Sequence, residues 1–364
     1  MSQIQKQNTL CVYIGRFSPF HDGQAAVLKH ALQKYSEVLV IIGTHNEART
    51  IKNPWTCLER AQMILDWKTF FLGNLSIKFA EDFPYNNILW ASNINQLVEE
   101  HIALSNVRPK IYLTGTERDA TGFYLKMFPQ WEKDLFTDTS VPHSLSATLV
   151  REVYFGNTLS GKPILSSDYA EQQLNNMMPK TSVNYLQQFK KTVHYQQLLG
   201  EYQENLKSKE AWKSAPYPPI FVTIDAVVVQ ASHVLMITRK NSPGKGLLAL
   251  PGGFLEQEEW LIDGAIRELQ EETDIKLAPR QLRGSICAEK IFDNPFRSLR
   301  GRTITVAYLV QLNEVGKLAK VKAKDDAAEV GWYSINELNS RKSEIFEDHW
   351  HIIQSMLGYV GRRQ

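Results

Sequence analysis

The 364-residue chain is long for a single compact core and comfortable for two domains of common size. Its 41 basic and 39 acidic side chains leave a formal net charge of +2, which argues against a nucleic-acid partner, and 43% hydrophobic content excludes a disordered or fibrous chain. The three cysteines, Cys11, Cys57 and Cys287, are far apart with no CxxC pair, so neither a disulfide framework nor a zinc site is expected.

The opening MSQIQKQNT has no basic region followed by an apolar stretch, and apolar runs such as Val38–Ile42 and Ala226–Val229 are only strand-length. The expectation is a chain without signal peptide or membrane span, working in a reducing cytoplasm. Leu10–Ile14 and Val38–Ile42 read as buried parallel strands, with Ala25–Tyr35 as the helix between them. Leu75–Ala80 and Lys110–Thr114 read as further strands, separated by the helical stretch Leu89–His101. Such a β-α-β-α succession predicts an α/β fold, a doubly wound parallel sheet whose ligands sit at the carboxyl ends of the strands.

From Asp168 to Lys213 the composition turns polar, with apolar residues at helical spacing, and one or two helices are expected to close the first domain. Ser214-Ala-Pro-Tyr-Pro-Pro219 then stops helix. The expected division is therefore a first domain over 1–165, a helical segment and linker over 166–213, and a second domain over 214–364. In that domain Phe221–Gln230 and Val234–Arg239 read as a hairpin turning near Ala231-Ser232-His233. A helix at Trp260–Thr273, strands near Leu282–Phe292 and Thr303–Gln311, and a helix around Ile345–Leu357 follow. Mixed strands around one long helix suggest an α+β domain.

The first chemical motif follows strand one: Gly15-Arg16-Phe17-Ser18-Pro19-Phe20-His21-Asp22-Gly23-Gln24. A glycine permits close backbone approach, Arg16 offers a forked cation, and His21 stands where a helix begins, with unpaired N–H groups and a positive dipole end. This string is similar to the HxGH signature of the nucleotidyltransferase superfamily, and in its wider form GRFxPFHxG to the archaeal-type nicotinamide mononucleotide adenylyltransferases. Asn53-Pro54-Trp55-Thr56 with Glu59-Arg60 resembles a second element of that family. Asn86-Asn87-Ile88-Leu89-Trp90 resembles its nicotinamide-recognising segment, and Ser146-Ala147-Thr148-Leu149-Val150-Arg151 its phosphate-holding SSTxxR element. The resemblance implies substrate contacts from Gly15, Phe17, Gln24, Asn53, Arg60, Trp90, Ser146 and Thr148, with Arg16, His21 and Arg151 carrying the reaction. The signature's second histidine is Gln24 here, a neutral donor in place of a charge-assisted contact worth on the order of 2–4 kcal/mol in a dry transition state. His45, just past strand two, reads either as a ligand contact or as a solvated loop residue.

The second motif is Gly253, then Glu259, then Arg267-Glu268-Leu269-Gln270-Glu271-Glu272-Thr273-Asp274-Ile275. On a helix Glu268, Glu271 and Glu272 share one face, where three like charges call for cations. Oxygen donors at this density suit Mg²⁺ or Mn²⁺. The pattern resembles the Nudix box, with Asp274 in place of its final glycine at a helix end where Asp tolerates a left-handed backbone. The resemblance implies metal ligands Glu268, Glu271 and Glu272 and a water-activating base. Glu271 and Glu272 are the candidates for that base, and Asp325, Asp326 and Glu329 read either as a late loop reaching the site or as a solvated loop. Arg297, Arg300 and Arg302 read either as a grip on a substrate phosphate or as a solvated hairpin tip, and Phe292 and Phe296 as adenine-stacking candidates.

Taken together, the order of motifs resembles the bacterial bifunctional nicotinamide mononucleotide adenylyltransferase/Nudix hydrolases: a Rossmann-like nucleotidyltransferase domain followed by a Nudix domain. That likeness implies ATP and nicotinamide mononucleotide as substrates of the first domain, with NAD as its product, and ADP-ribose as substrate of the second. Mg²⁺, or Mn²⁺, is the implied cofactor. Partners are small nucleotides rather than nucleic acid or membrane, and a homo-oligomer is left open. Two other readings also stand: a transferase domain weakened to a nucleotide sensor by Gln24, and a Nudix domain that binds ADP-ribose as a regulator.

Overall fold

The continuous apolar runs of the first half form a parallel sheet in the computed structural model. It describes residues 8–103, 107–116, 124–137, 145–156, 158–159, 162–164, 166–313 and 317–358. The chain divides into two units, Met1–Tyr202 and Gln203–Gln364. In the first, the order is β1 (Thr9–Gly15), α1 (Asp22–Lys34), β2 (Glu37–Ile42), α2 (Cys57–Lys68), β3 (Asn74–Phe79), α3 (Asn87–Ile102), β4 (Lys110–Gly115), β5 (Glu132–Leu135) and α4 (Ala147–Gly156). All five strands are parallel, in the order β3-β2-β1-β4-β5. Strands β1 and β2 are buried along almost every residue, which is why neither alternates polar with apolar. Leu10, Val12, Leu39 and Ile41 pack there against Ile94, Val98 and Ile102 of α3. The strand order reverses between β1 and β4, so the carboxyl end of β1, at Gly15, borders the crevice where such sheets bind ligands.

Helix α2 is absent from the elements that periodicity predicts. Leu58 and Leu65 on it are exposed, which blurs the apolar stripe, whereas Met63, Ile64 and Trp67 are buried. Its start is nonetheless encoded, for Thr56 accepts the Glu59 N–H and Glu59 accepts the Thr56 N–H. A small hairpin, β6 (Thr158–Leu159) with β7 (Lys162–Pro163), leads to α5 (Ser167–Asn175), α6 (Lys180–Phe189) and α7 (Val193–Ala211). Three helices thus stand where one or two were expected. Pro179 caps the start of α6, and the Thr192 hydroxyl accepts the Tyr195 N–H where α7 begins.

The second unit contains β8 (Ile220–Gln230), β9 (His233–Arg239), β10 (Leu248–Ala249), β11 (Gly252–Phe254), α8 (Leu261–Thr273), α9 (Pro279–Gly284), β12 (Ile286–Phe292), β13 (Arg302–Gln311), β14 (Ala327–Ser334), α10 (Ile335–Ser340) and α11 (His349–Leu357). The mixed sheet runs β10-β9-β8-β13-β12, with β11 on β8 and β14 on β9, and β8 and β13 run parallel. Helix α8 lays Ile266 and Leu269 against Ala226, Val228 and Leu235. The strand expected from Leu282 begins only at Ile286, because Pro279 opens a short helix that buries Leu282. The last helix begins at His349 rather than Ile345, since Ile345 bridges Leu248 and the Phe346 N–H bonds the Leu248 carbonyl.

The β8–β9 hairpin turns on Ala231 and Ser232, whose φ angles of 47° and 60° are both left-handed. A two-residue turn of this hand suits Asn-Gly, and an L-residue with a Cβ is strained there. Replacing the pair by Asn-Gly is expected to raise stability by about 1 kcal/mol in urea unfolding, with no change in the slope.

Candidate functional sites

Strand β1 delivers its chain end to a crowded turn. A Cβ on Gly15 would stand 3.0 Å from Phe17 Cζ. Phe17 is left-handed, with φ 51°, and its buried ring packs against Tyr13 at 5.2 Å and Phe20 at 6.3 Å. The Phe17 ring therefore belongs to the core, a correction to its expected substrate contact, while Arg16 beside it is exposed. His21 is the N-cap residue of α1 and is 8% exposed. Its Nδ1, the Ser18 Oγ and the Thr44 Oγ1 are buried and find no partner among the described residues. Gln24, one turn on, accepts the His21 N–H through Oε1 at 3.3 Å, so its carboxamide braces the turn.

Arg151 comes to the same place from α4. It donates to the Ser18 carbonyl at 2.5 Å and to the Thr148 hydroxyl at 3.1 Å, and Ser146 caps α4 by accepting the Leu149 N–H. Burial, with Arg16 nearby, lowers the Arg151 pKa to about 10. Burial, with Arg151 nearby, lowers that of His21 to about 4. Arg16, His21 and Arg151 thus converge at the carboxyl end of β1, and each makes a further positive charge costly for its neighbour. Two arginines and a histidine beside a helix N-terminus make a corner suited to phosphate.

Arg60 is fully buried. Its guanidinium donates to the carbonyls of Arg16, Gly43, Thr44, Trp55 and Thr56 at 2.5–3.3 Å. It positions the turns that leave β1 and β2, a correction to its expected substrate contact, because none of its donors faces open space. Asn53 is 7% exposed, and its Oδ1 lacks a partner among the described residues. Trp90 is half-buried 6.0 Å from the Phe128 ring, at the rim of the core. His45 is not a solvated loop residue: its ring stacks on Phe79, and Nδ1 lies 3.1 Å from the Cys57 thiol.

In the second unit Arg267 organises α8. Its guanidinium takes Glu259 on two nitrogens at 2.7 and 3.0 Å, and Nη1 reaches Glu268 and Glu271, each at 2.9 Å. Glu272 is 4% exposed and accepts the Gly252 N–H at 2.9 Å, and burial raises its pKa to about 8. Burial raises Glu268 as well. Gly252 is sterically required, and any side chain at Gly253 would push Glu268 aside. A Cβ on Gly253 would lie 2.4 Å from Glu268 Oε1, and one on Gly252 would lie 2.2 Å from the Ile224 carbonyl. Asp274 ends α8 in the left-handed conformation, with φ 45°, as its place in the motif predicts.

The arginine string separates into three different environments. Arg297 is buried in a two-point pair with Asp348 at 2.9 and 3.0 Å, and Arg302 donates to the Asp293 carbonyl at 2.6 Å. Arg297 is thereby corrected from a substrate grip to a loop holder, while Arg302 is half-buried. Arg300 alone stands over an exposed ring, that of Phe254, at 4.8 Å. Phe292 is fully buried and corrected to a core residue, while Phe296 is exposed.

A NUDIX domain model matches residues 219–356, and a cytidylyltransferase-like model matches residues 12–153. Nicotinamide/nicotinic acid mononucleotide adenylyltransferase of Acinetobacter baylyi is 31% identical over 198 residues, 52% of this chain and 92% of that protein. ADP-ribose pyrophosphatase of Methanocaldococcus jannaschii is 31% identical over 152 residues, 42% of this chain and 82% of its own. Over 97% of this chain and 99% of the other, the fold matches a crystal structure from Francisella tularensis at 33% identity with a TM-score of 0.83. That structure is of a bifunctional NMN adenylyltransferase/ADP ribose pyrophosphatase complexed with AMP and Mn ion.

The chain belongs to this bifunctional adenylyltransferase/pyrophosphatase family.

Among the described residues of this family member, no three Asp, Glu, His or Cys side chains already converge as a metal cluster. Arg267 holds Glu268 and Glu271, and the Gly252 N–H holds Glu272. The donor set still fits a hard dication. Glu268 and Glu272 are carboxylates driven toward protonation by burial, and a bound cation relieves that penalty. Sequence reasoning missed Asp225, which lies beneath Gly252 and accepts the Thr305 hydroxyl at 2.5 Å. Its signal was a lone carboxylate inside an otherwise apolar strand. His349, which accepts the Leu250 N–H at 2.9 Å, left no comparable mark.

Two outcomes follow from these geometries. Arg60→Ala is expected to cost at least about 3 kcal/mol in chemical unfolding, because it strands buried carbonyls and leaves a cavity. Burial holds the folded His21 pKa at about 4, below the ordinary 6.5 of histidine, so the unfolded chain binds more protons between the two. Its contribution to stability is complete above about pH 6.5 and is lost as pH falls toward about 4. Its imidazole is expected to titrate near 4 by NMR in the free protein and to move upward when inorganic triphosphate is added; a titration near 6.5 in the free protein contradicts the burial argument.

Proposed function

We propose that the first unit transfers the adenylyl group of ATP to nicotinamide mononucleotide, giving NAD and pyrophosphate, and that the second hydrolyses ADP-ribose to AMP and ribose 5-phosphate. The convergence of Arg16, His21 and Arg151 on the turn after β1 carries the first assignment. Arg267, binding Glu259, Glu268 and Glu271 at once, carries the second.

In the transferase the 5′-phosphate oxygen of the mononucleotide attacks the α-phosphorus of ATP, and the bond to the departing pyrophosphate breaks. Such chemistry asks the protein for positioning and charge stabilisation rather than for a nucleophile. Arg16 and Arg151 supply fixed positive charge, and neutral His21 supplies a hydrogen bond. Ser146 and Thr148 sit at the start of α4 beside them. Gln24 braces His21 in place of a second cation, so the arginines carry the charge stabilisation. Mg²⁺ accompanies the ATP.

In the hydrolase a water attacks a phosphorus of the diphosphate, and the bridging P–O bond breaks. A divalent ion, Mg²⁺ or Mn²⁺, when bound polarises the diphosphate and acidifies that water. Glu268 and Glu272 would hold it, with Glu271 beside them; Arg267, itself anchored by Glu259, fixes Glu268 and Glu271, and the Gly252 N–H fixes Glu272. Glu271, the most exposed of the three, is assigned as the proton acceptor. The two reactions suit one chain, since ADP-ribose is what remains when NAD loses nicotinamide. We infer operation in the cytoplasm, where the nucleotides are at hand and the three free thiols stay reduced; no helix among the described residues is long and apolar enough to cross a membrane.

Purified protein supplied with Mg²⁺ and either nicotinamide mononucleotide plus ATP, or ADP-ribose, is expected to form NAD and AMP respectively. His21→Ala should cut NAD formation on the order of 100-fold while sparing AMP release, and Glu271→Gln should do the reverse. AMP release without NAD formation by the unaltered protein would reduce the first unit to a nucleotide-binding module.

A further inference from the structure

The turn that leaves β2 sets an imidazole against a thiol. Cys57, the first residue of α2, has its Sγ 3.1 Å from His45 Nδ1. The imidazole is held in place: its ring stacks on Phe79 at 5.5 Å and 13°, and the His45 main-chain N–H donates to the Ala80 carbonyl. A nucleophile within hydrogen-bond reach of a base, with the base oriented by a third group, is the arrangement that activates cysteine. The other two thiols stand differently. Cys11 is fully buried in β1, where burial pushes its thiol up. Cys287 is half-buried, and its thiol donates to the Leu309 carbonyl at 3.5 Å, an acceptor that cannot take the proton away. Cys57 itself is 8% exposed, room for a small oxidant but not for a bulky disulfide.

We infer that Cys57, with His45 as its proton acceptor, is a modification site for small peroxides that governs the first unit alone. The sulfur attacks one peroxide oxygen, and the S–O bond forms as the O–O bond breaks. The thiol proton, passed to His45, leaves with the second oxygen as water. Sulfur gives up an electron pair to the peroxide and becomes a sulfenic acid, which a dithiol reduces back to the thiol. The added oxygen has no room at a 3.1 Å contact between two fixed groups, so the imidazole or the start of α2 must shift. Arg60, one turn along α2, binds the carbonyls of Gly43 and Thr44 just before His45, and that of Arg16 in the phosphate corner. Displacement at Cys57 therefore reaches the turn that carries Arg16. This consequence rests on the transferase reading above. The carboxylates of α8 belong to the other unit, so NAD synthesis would stop under peroxide while ADP-ribose breakdown continued.

In the test, the reduced full chain is treated with hydrogen peroxide, sulfenic acid is trapped with dimedone, and peptide mass spectrometry locates the adduct. Both activities are read on the same samples. The adduct is expected on Cys57 ahead of the more exposed Cys287. NAD formation should fall in step with it while ADP-ribose hydrolysis holds, and dithiothreitol added in place of dimedone should restore NAD formation. His45→Gln, which keeps a polar side chain without the base, should slow labelling of Cys57 at least about tenfold. Cys57→Ser should form NAD at the unaltered rate and resist peroxide. Labelling of Cys287 first, an unchanged labelling rate in His45→Gln, peroxide sensitivity that persists in Cys57→Ser, or equal loss of both activities each overturns the site. Absence of NAD formation by the untreated protein instead overturns the transferase reading, and the order of labelling still decides the thiol and its base.

Discussion

The Arg60 guanidinium, wholly buried, ties five main-chain carbonyls from the turns that leave β1 and β2 and from the start of α2. Carbonyls at the end of a parallel sheet have no further strand to bond, and water cannot reach these. A planar fork with five donors is the one side chain able to serve so many at once. Everything proposed for the first unit hangs on those turns. Arg16 projects outward because its own carbonyl is pinned, and His21 reaches the same corner because α1 starts where the turn ends.

The two units solve opposite problems with the same group. In the first, Arg16 and Arg151 stand together beside a helix start, so that a phosphate arriving there meets donors already placed. In the second, Arg267 gathers carboxylates that repel one another and holds them until a dication is available. Charge is stored unbalanced in both, and the fold rather than the ligand bears the electrostatic strain in the free protein.

Much of this was legible in the sequence where the residues were contiguous. Leu10–Ile14 and Val38–Ile42 had to be buried strands, and Arg267 to Glu272 had to share a helical face, since both follow from local periodicity. What stayed hidden depends on partners far away in the chain. Nothing near Arg297 announces Asp348, and nothing near Arg60 announces the carbonyl of Arg16. The string Arg297-Ser298-Leu299-Arg300-Gly301-Arg302 looks uniform on paper, yet one arginine is sealed in an ion pair, one holds a loop and one stands over a ring. Helix α2 was missed because two of its leucines face outward, although Thr56 and Glu59 spelled its beginning.

The adjoining glycines of β11 are constrained from different directions. Gly252 is blocked by the Ile224 carbonyl and Asp225, both parts of the sheet itself, whereas Gly253 is blocked by the side chain of Glu268. Sequence drift would therefore treat them differently. A descendant that lost the chemistry could shorten position 268 and then accept a larger residue at 253, but it would still need glycine at 252 to keep its strands together. Of the two, position 253 is the witness to a working enzyme, and position 252 only to an intact fold.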